Sequence, residues 1–238
     1  MYSNKYITVY TVIMTLIVSI VLAVIVTGLR PIHAANEAVF KKRDILNAVK
    51  NQLSTDLDKM SNQDVIALFD ESIEQVALDA TGSPVEGIVA EEIDMAKEEK
   101  KPEAERVYPF YIFKGEKGNF YLAAVRGNGL WDKIWGTIAF EDDFNTIAGV
   151  SFDHVTETAG LGAEIKDNPA FQRQFWGKKI FNEAGDFVSV AVVKGGVKKP
   201  EHQVDAIAGA TITTNGVTEM LEQGLKVYLP YFEKFKKQ

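Results

Sequence analysis

Residues 6–29 carry no charged side chain in 24 consecutive positions, and no other feature of the chain restricts its fold so strongly. An α-helix rises about 1.5 Å per residue and needs roughly 20 apolar residues to cross the hydrocarbon of a bilayer, so this run is long enough to span. A cleaved secretory leader has a shorter apolar stretch of about 7–15 residues that ends at a small-x-small site. Here the chain continues as "LRPIHAANEAVFKKR", polar and helical. The expectation is therefore a retained transmembrane anchor over residues 1–33. After Pro31, Val39, Leu46, Val49 and Leu53 recur at mostly helical spacing among charged residues, which predicts a juxtamembrane amphipathic helix. Residues 34–60 are assigned to it, and a domain is expected over residues 61–238.

With 238 residues, an anchor leaves room for one sizeable core, since cores much beyond about 250 residues tend to split. Twenty-six basic against thirty-three acidic residues give a net charge of −7, which argues against DNA or RNA as a partner, since those need clustered Lys and Arg. The absence of Cys rules out disulfides, thiolate zinc sites and cysteine-ligated clusters within the chain. His154 has no second His or carboxylate cluster at ligand spacing, so it reads as a structural polar residue and no metal site is expected.

Ser61 and Asp64 have capping-box spacing ahead of Val65, Leu68 and Phe69, the apolar face of a short helix. "IEQVALDATGSP" predicts a strand ending in a turn at residues 81–84. Residues 86–106 are dense in charge and read as an exposed loop or solvated helix, with an acidic docking segment as the functional alternative. "YPFYIFK" and "FYLAAVR" around "GEKGN" form one hairpin, and "IWGTIAFED" and "TIAGVSFDHV" around "DFN" form a second. "NPAFQRQFWGKK" predicts a short helix, and "FVSVAVVKGG" a further strand. Residues 214–236 place Val217, Met220, Leu221, Leu225, Tyr228 and Leu229 on one face of a last helix. Hairpins flanked by helices indicate an α+β class with a largely antiparallel sheet.

Three glycine-bearing segments have the residue types of a binding site. "DAIAGATITTNGV", residues 205–217, combines Gly209 between Ala208 and Ala210 with hydroxyls at Thr211, Thr213 and Thr214 ahead of a helix. Free N–H groups and the helix dipole there favour a phosphate, although an ordinary N-cap has the same composition. "HVTETAGLGAEI" supplies Gly160 and Gly162 for close approach of a flat ring, Leu161 to pack on its face, and Thr156, Glu157 or Thr158 to bond its polar edge. A tight turn uses the same residues. "RGNGLWDKIWG" adds Gly127, Gly129 and Gly136 with Trp131 and Trp135, one Trp suited to the core and the other to a pocket wall.

The order "GNGLW", "ETAGLG", "KGG" and "DAIAGAT" resembles the FMN-binding domain of the C subunit of the sodium-translocating NADH:quinone oxidoreductase, and more distantly the G subunit of Rnf electron-transport complexes. The resemblance extends over nearly the whole chain, including the single N-terminal span and "LFDESIEQVALDATG". In that family a flavin is joined through its phosphate to the last Thr of an Asp-x-x-Ser/Thr-Gly-Ala-Thr pattern, which falls here on Asp205, Gly209, Ala210 and Thr211. Ala208 departs from the usual Ser or Thr, and Ala159 from a Pro common in the family's Glu-Thr-Pro-Gly-Leu-Gly run.

The resemblance implies covalent FMN on Thr211, with Asp205, Gly209, Ala210, Thr214, Glu157, Thr158, Leu161, Gly162, Trp131 and Lys194 around it. It implies no catalytic residues of the chain's own, and attachment of the flavin by a separate magnesium-dependent flavin transferase acting on FAD. As one member of a six-subunit membrane complex, the chain would take electrons from a partner's iron–sulfur centre and pass them to a further FMN in the B subunit and finally to quinone, with sodium transport. The rival readings are the Rnf role, with ferredoxin and NAD as the complex's partners, and an anchored binding module without redox chemistry. The family sits in the bacterial inner membrane with the flavin domain facing the periplasm. Arg30, Lys41, Lys42 and Arg43 after the span, against Lys5 before it, favour the opposite side by the positive-inside rule.

Overall fold

Helix α1 (Asn4–Asn47) opens the computed structural model, which describes residues 3–116 and 118–236. It is long and apolar enough to cross a membrane, and large apolar side chains are exposed all along it, from Tyr6 to Ile32. The helix does not break at Pro31, three residues before the expected start of a separate juxtamembrane helix at residue 34, even though proline has no N–H to offer the carbonyl four residues earlier. It ends at Asn47, short of the expected Leu53, and 3-10 turns at Lys50–Gln52 and Leu57–Lys59 follow. The chain divides between Lys41 and Lys42 into two compact units.

The larger unit is built on a five-stranded antiparallel meander. Helix α2 (Asn62–Ser72) enters it behind a complete Ser61–Asp64 capping box. Strand β1 (Ile73–Asp79) pairs with β2 (Val107–Gly115), followed in order by β3 (Gly118–Asn128), β4 (Lys133–Phe140) and β5 (Ile147–His154). Both hairpins expected from the sequence are present. Side chains alternate across each strand, and the sheet is covered on both faces. Tyr111 meets Phe69 of α2 on one face, and Phe110 meets Tyr228 and Phe232 on the other. Double burial is why β5 is buried at seven of its eight positions where a half-solvated strand would alternate.

Between β1 and β2, residues 86–106 are mostly exposed and are anchored to the domain at a few points. Ala90 and Ile93 are buried, Glu91 pairs with Lys42 at 2.8 Å, and Arg106 donates to the carbonyls of Lys101 and Glu99. This stretch holds the one-turn helix α3 (Met95–Glu98). After β5 come α4 (Glu164–Asp167) and α5 (Pro169–Arg173), the latter capped by Asn168.

"FVSVAVVKGG" yields only a three-residue strand, β6 (Ala191–Val193), because Ser189 takes φ 56° and breaks the extended run. β6 pairs in parallel with β7 (Gln203–Asp205). The C-terminal helix is two helices: α6 (Thr211–Lys226) starts three residues earlier than expected, and α7 (Leu229–Lys236) follows it. Pro230, which cannot donate to the carbonyl of Lys226, falls in the first turn of α7, where its missing N–H is tolerated.

Candidate functional site

The loop joining β7 to α6 brings the glycine segments together. Gln174 grips its start: the side-chain amide of Gln174 accepts from the Asp205 N–H at 2.8 Å and donates to the Asp205 carbonyl at 3.4 Å. Gly209 then turns the chain at φ +79°, a conformation costly for an L-residue, and a β-carbon there would meet Leu161 Cδ2 at 2.7 Å. Helix α6 begins at Thr211 with Ala210 as its N-cap, and no side chain caps it. The first N–H groups of α6 are thus left for something else.

The three threonines of this turn have different fates. Thr213 and Thr214 are buried at 1% exposure. The Thr213 hydroxyl donates to Glu157 Oε2 at 2.8 Å, and the Thr214 hydroxyl to the carbonyls of Ala210 and Thr211 at 3.0 and 3.1 Å. Thr211 is exposed and, among the described residues, its hydroxyl has no hydrogen-bond partner. It is the nucleophile of the three that a reagent from solution can reach.

Glu157 ties the segments to one another. It is 9% exposed; Oε1 accepts from the Trp131 N–H at 3.1 Å, and Oε2 takes the Thr213 hydroxyl. The Glu157 N–H donates to His154 Nδ1 at 3.1 Å, so His154 acts as a structural acceptor. Glu157 is therefore engaged with the protein itself, where the sequence had placed it at a ligand's polar edge. Glycines 129 and 162 make room for this carboxylate, since a β-carbon at either position would overlap one of its oxygens. The space expected above Gly162 for a flat ring is already occupied by Glu157 and Thr213.

Two cavities meet at Gly209 and Thr211. One, of about 220 Å³, is lined by Leu130, Glu157, Thr158, Leu161, Gly162, Gly209, Ala210, Thr211, Ile212 and Thr213. The other, of about 230 Å³, is lined by residues that include Lys194, Gly195, Asp205, Gly209, Thr211, Thr214 and Asn215. Each alone is below the roughly 300–1,000 Å³ of a small-molecule site, and the pair falls within that range. Trp131 lines neither cavity; its indole, 68% exposed, donates to Thr158 Oγ1 at 3.1 Å. Leu130, Leu161 and Ile212 are exposed apolar side chains in the wall of the first cavity.

Sequence reasoning missed Leu130 and Ile212, whose only signal was adjacency to the glycine and threonine motifs. It also missed the role of Thr213 toward Glu157, and it missed Gln174, for which no local signal exists.

A second polar cluster lies on the opposite face of β5. Asp44 accepts from the Ser151 hydroxyl at 2.5 Å, Asp153 pairs with Lys166 at 2.9 Å, and burial pushes the Asp44 carboxyl up from 3.8 to about 6.

The fold has solved counterparts. The crystal structure of the C subunit of Na(+)-translocating NADH-quinone reductase from Parabacteroides distasonis superposes with a TM-score of 0.75 at 36% identity, covering 86% of this chain and 96% of that one. The corresponding C subunit from Neisseria meningitidis serogroup A is 33% identical over 234 residues, 89% of this chain and 86% of the relative. The chain belongs to this family of reductase C subunits. Within the family, the Haemophilus ducreyi protein matches at 40% identity over 130 residues, 53% of this chain and 50% of that protein. A family model for the FMN-binding domain matches residues 129–226, from the glycine beside Glu157 to the last residue of α6. Every residue that lines the two cavities falls inside that match.

Proposed function

We propose that Thr211 carries FMN on its hydroxyl through a phosphodiester, and that the chain relays electrons as the C subunit of a sodium-translocating NADH:quinone oxidoreductase. The observation that carries this reading is the contrast among three threonines: Thr213 and Thr214 are buried and committed, while Thr211 stands exposed at an uncapped helix start between two cavities. The residues present fit the cofactor. The free N–H groups and positive dipole end of α6 would hold the phosphate. Leu130, Leu161 and Ile212 would offer apolar surface to the ring, and the Thr158 hydroxyl, held by Trp131, a polar partner. Lys194 and Asp205 would line the neighbouring space. Bound there, FMN supplies the redox chemistry, and the protein supplies orientation, water exclusion and electrostatic tuning.

The chain has no Cys, so an iron–sulfur donor would belong to a partner protein of the complex, with a further FMN on the B subunit and then quinone as acceptors. The relatives from Parabacteroides, Neisseria and Haemophilus are subunits of the quinone reductase, which favours that complex over the Rnf role. A separate flavin transferase would attach the cofactor. Helix α1 would hold the chain in the inner membrane with its domain on the periplasmic side. The family resemblance outweighs the charge bias of Arg30, Lys41, Lys42 and Arg43, which by itself favours the opposite side.

The test is an intact mass of the chain coexpressed with a flavin transferase, after denaturation. The expected mass exceeds that of the sequence by FMN less one water. A mass equal to the bare sequence under those conditions rejects the assignment.

A further inference from the structure

Glu157 is a buried acidic side chain held by two neutral donors, the Trp131 N–H and the Thr213 hydroxyl. No Lys or Arg among the described residues forms an ion pair with it. Burying a carboxylate without a cation is costly, and the chain accommodates it with glycines at 129 and 162, where any β-carbon would overlap its oxygens. A neutral strut could join the same segments with less desolvation. The carboxylate also forms part of the wall of the cavity that holds Leu161, Gly209 and Thr211.

We infer that Glu157 is a positioning residue with an electrostatic role: its unneutralised charge in the cavity wall holds the reduction potential of the bound flavin down. This rests on the reading of Thr211 as a flavin carrier. A flavin gains electron density on reduction, and a fixed negative charge in a desolvated wall opposes that gain more strongly than the same charge in water. The Thr213 and Trp131 contacts keep the charge at one place. Thr213 belongs to the same helical turn as Thr211, and the Trp131 indole steadies Thr158.

Charge and geometry separate in two variants of the full chain, coexpressed with a flavin transferase and purified in detergent. Glu157→Gln keeps the length and an acceptor for the Trp131 N–H while removing the charge. Glu157→Asp keeps the charge and shortens its reach. Flavin content is read by intact mass and midpoint potential by spectroelectrochemical titration, with the exposed Glu233→Gln on α7 as a control.

The inference expects Glu157→Gln to load flavin and shift to a more positive potential, and Glu157→Asp and Glu233→Gln to stay near wild type. A folded, flavin-loaded Glu157→Gln with the wild-type potential overturns it. If Glu157→Gln fails to fold, Glu157→Met, uncharged and of similar length, decides: a potential more positive than wild type supports the charge, and the wild-type potential overturns it. A wild-type chain with no flavin mass overturns the functional reading and this inference with it, and the mass measurement alone detects that case.

Discussion

Gly216 on α6 faces the carbonyl oxygen of Asn128 on β3 so closely that a β-carbon at position 216 would overlap that oxygen. The contact brings the end of β3, and the Gly129–Trp131 loop after it, against the first turns of α6, and so places Thr211 near Leu130. In an open helix, Gly→Ala stabilises by roughly 0.5–1 kcal/mol. Here the obstacle is backbone, which cannot rotate aside, and overpacking of about 1–3 kcal/mol outweighs that gain. Gly216→Ala should therefore destabilise the domain. Gly224→Ala should also destabilise but cost less, since its β-carbon would meet Cβ and Cγ1 of the buried Val125 at 2.9 Å, a milder overlap than the one at position 216. Urea unfolding of both variants checks the order, and a Gly216→Ala protein as stable as wild type would show that α6 can lift from β3 freely.

The fully buried Tyr228 sits where α6 gives way to α7, and its hydroxyl lies 2.9 Å from the Pro109 carbonyl and 2.7 Å from that of Ala124. It joins the helix junction to β2 and β3. Tyr228→Phe keeps the ring contacts with Tyr108 and Phe110 and removes only the donor. The expected loss is about 1–3 kcal/mol, the cost of leaving buried acceptors without a partner, measured as a lower urea midpoint with an unchanged slope.

Much of this architecture was legible because its signals are local. The Ser61–Asp64 box, the two hairpins and the apolar run before Arg30 each lie within a short window of sequence. What escaped depended on remote partners. The anchoring of the charged stretch at 86–106 depends on Lys42, about fifty positions earlier, which pairs with Glu91. The split of the last helix was visible in Pro230, and the apolar periodicity across it masked the break. At the site, the fold brings the glycine and threonine motifs together around Gly209 and Thr211. That Glu157 reaches Thr213 could not be read from either motif, because the two are 56 positions apart, with β6, β7 and two short helices between them.

The end of α1 is part of the domain's packing, which makes the point of truncation consequential. Ile45 and Leu46 are buried at 3% and 0% exposure, and Lys42 lies over the Phe69 ring at 4.1 Å as well as pairing with Asp70 and Glu91. A chain beginning at residue 34 should be soluble and fold. One beginning at residue 48 should melt on the order of 10 °C lower, from about 1.5–3 kcal/mol per buried side chain and about 2–4 °C per kcal/mol. Equal melting temperatures for the two fragments would mean that residues 42–47 only lie on the domain without stabilising it.

Asp44 should make stability depend on pH. Burial is the main cause of its rise to about 6, with Asp153 adding repulsion, while the Ser151 and Trp135 hydrogen bonds and Lys166 pull the other way. The folded chain holds this proton up to about pH 6, and the unfolded chain releases it near 3.8. Between those values the folded state binds more protons, so stability falls as pH rises from about 4 to 6 and stays lower above. About two units corresponds to a ceiling near 3 kcal/mol. Asp44→Asn still accepts from Ser151 and should be more stable than wild type at about pH 7.5, by up to that amount, and nearly equal to it at about pH 4. Thermal melts of both proteins across that range supply the difference, and a constant offset at every pH would remove Asp44 as its source.

The threonine series tests the attachment point most directly. If the Thr211 hydroxyl holds the phosphodiester, flavin must survive SDS, because denaturation dissolves pocket contacts and leaves covalent bonds. The wild-type band should fluoresce under ultraviolet light after electrophoresis. Thr211→Val keeps nearly the same shape and deletes the nucleophile, and since this hydroxyl makes no hydrogen bond among the described residues, the fold should be unaffected while fluorescence disappears. Thr211→Ser should restore it. Thr214→Val loses the bonds to the Ala210 and Thr211 carbonyls at about 1 kcal/mol. Thr213→Val takes a donor from a buried carboxylate and should cost more, about 1.5–3 kcal/mol. Both should still carry SDS-resistant flavin, in contrast to Thr211→Val. Fluorescence that persists in Thr211→Val and vanishes in Thr213→Val would move the attachment to a hydroxyl that now points at Glu157, and α6 would have to open its first turn to expose it.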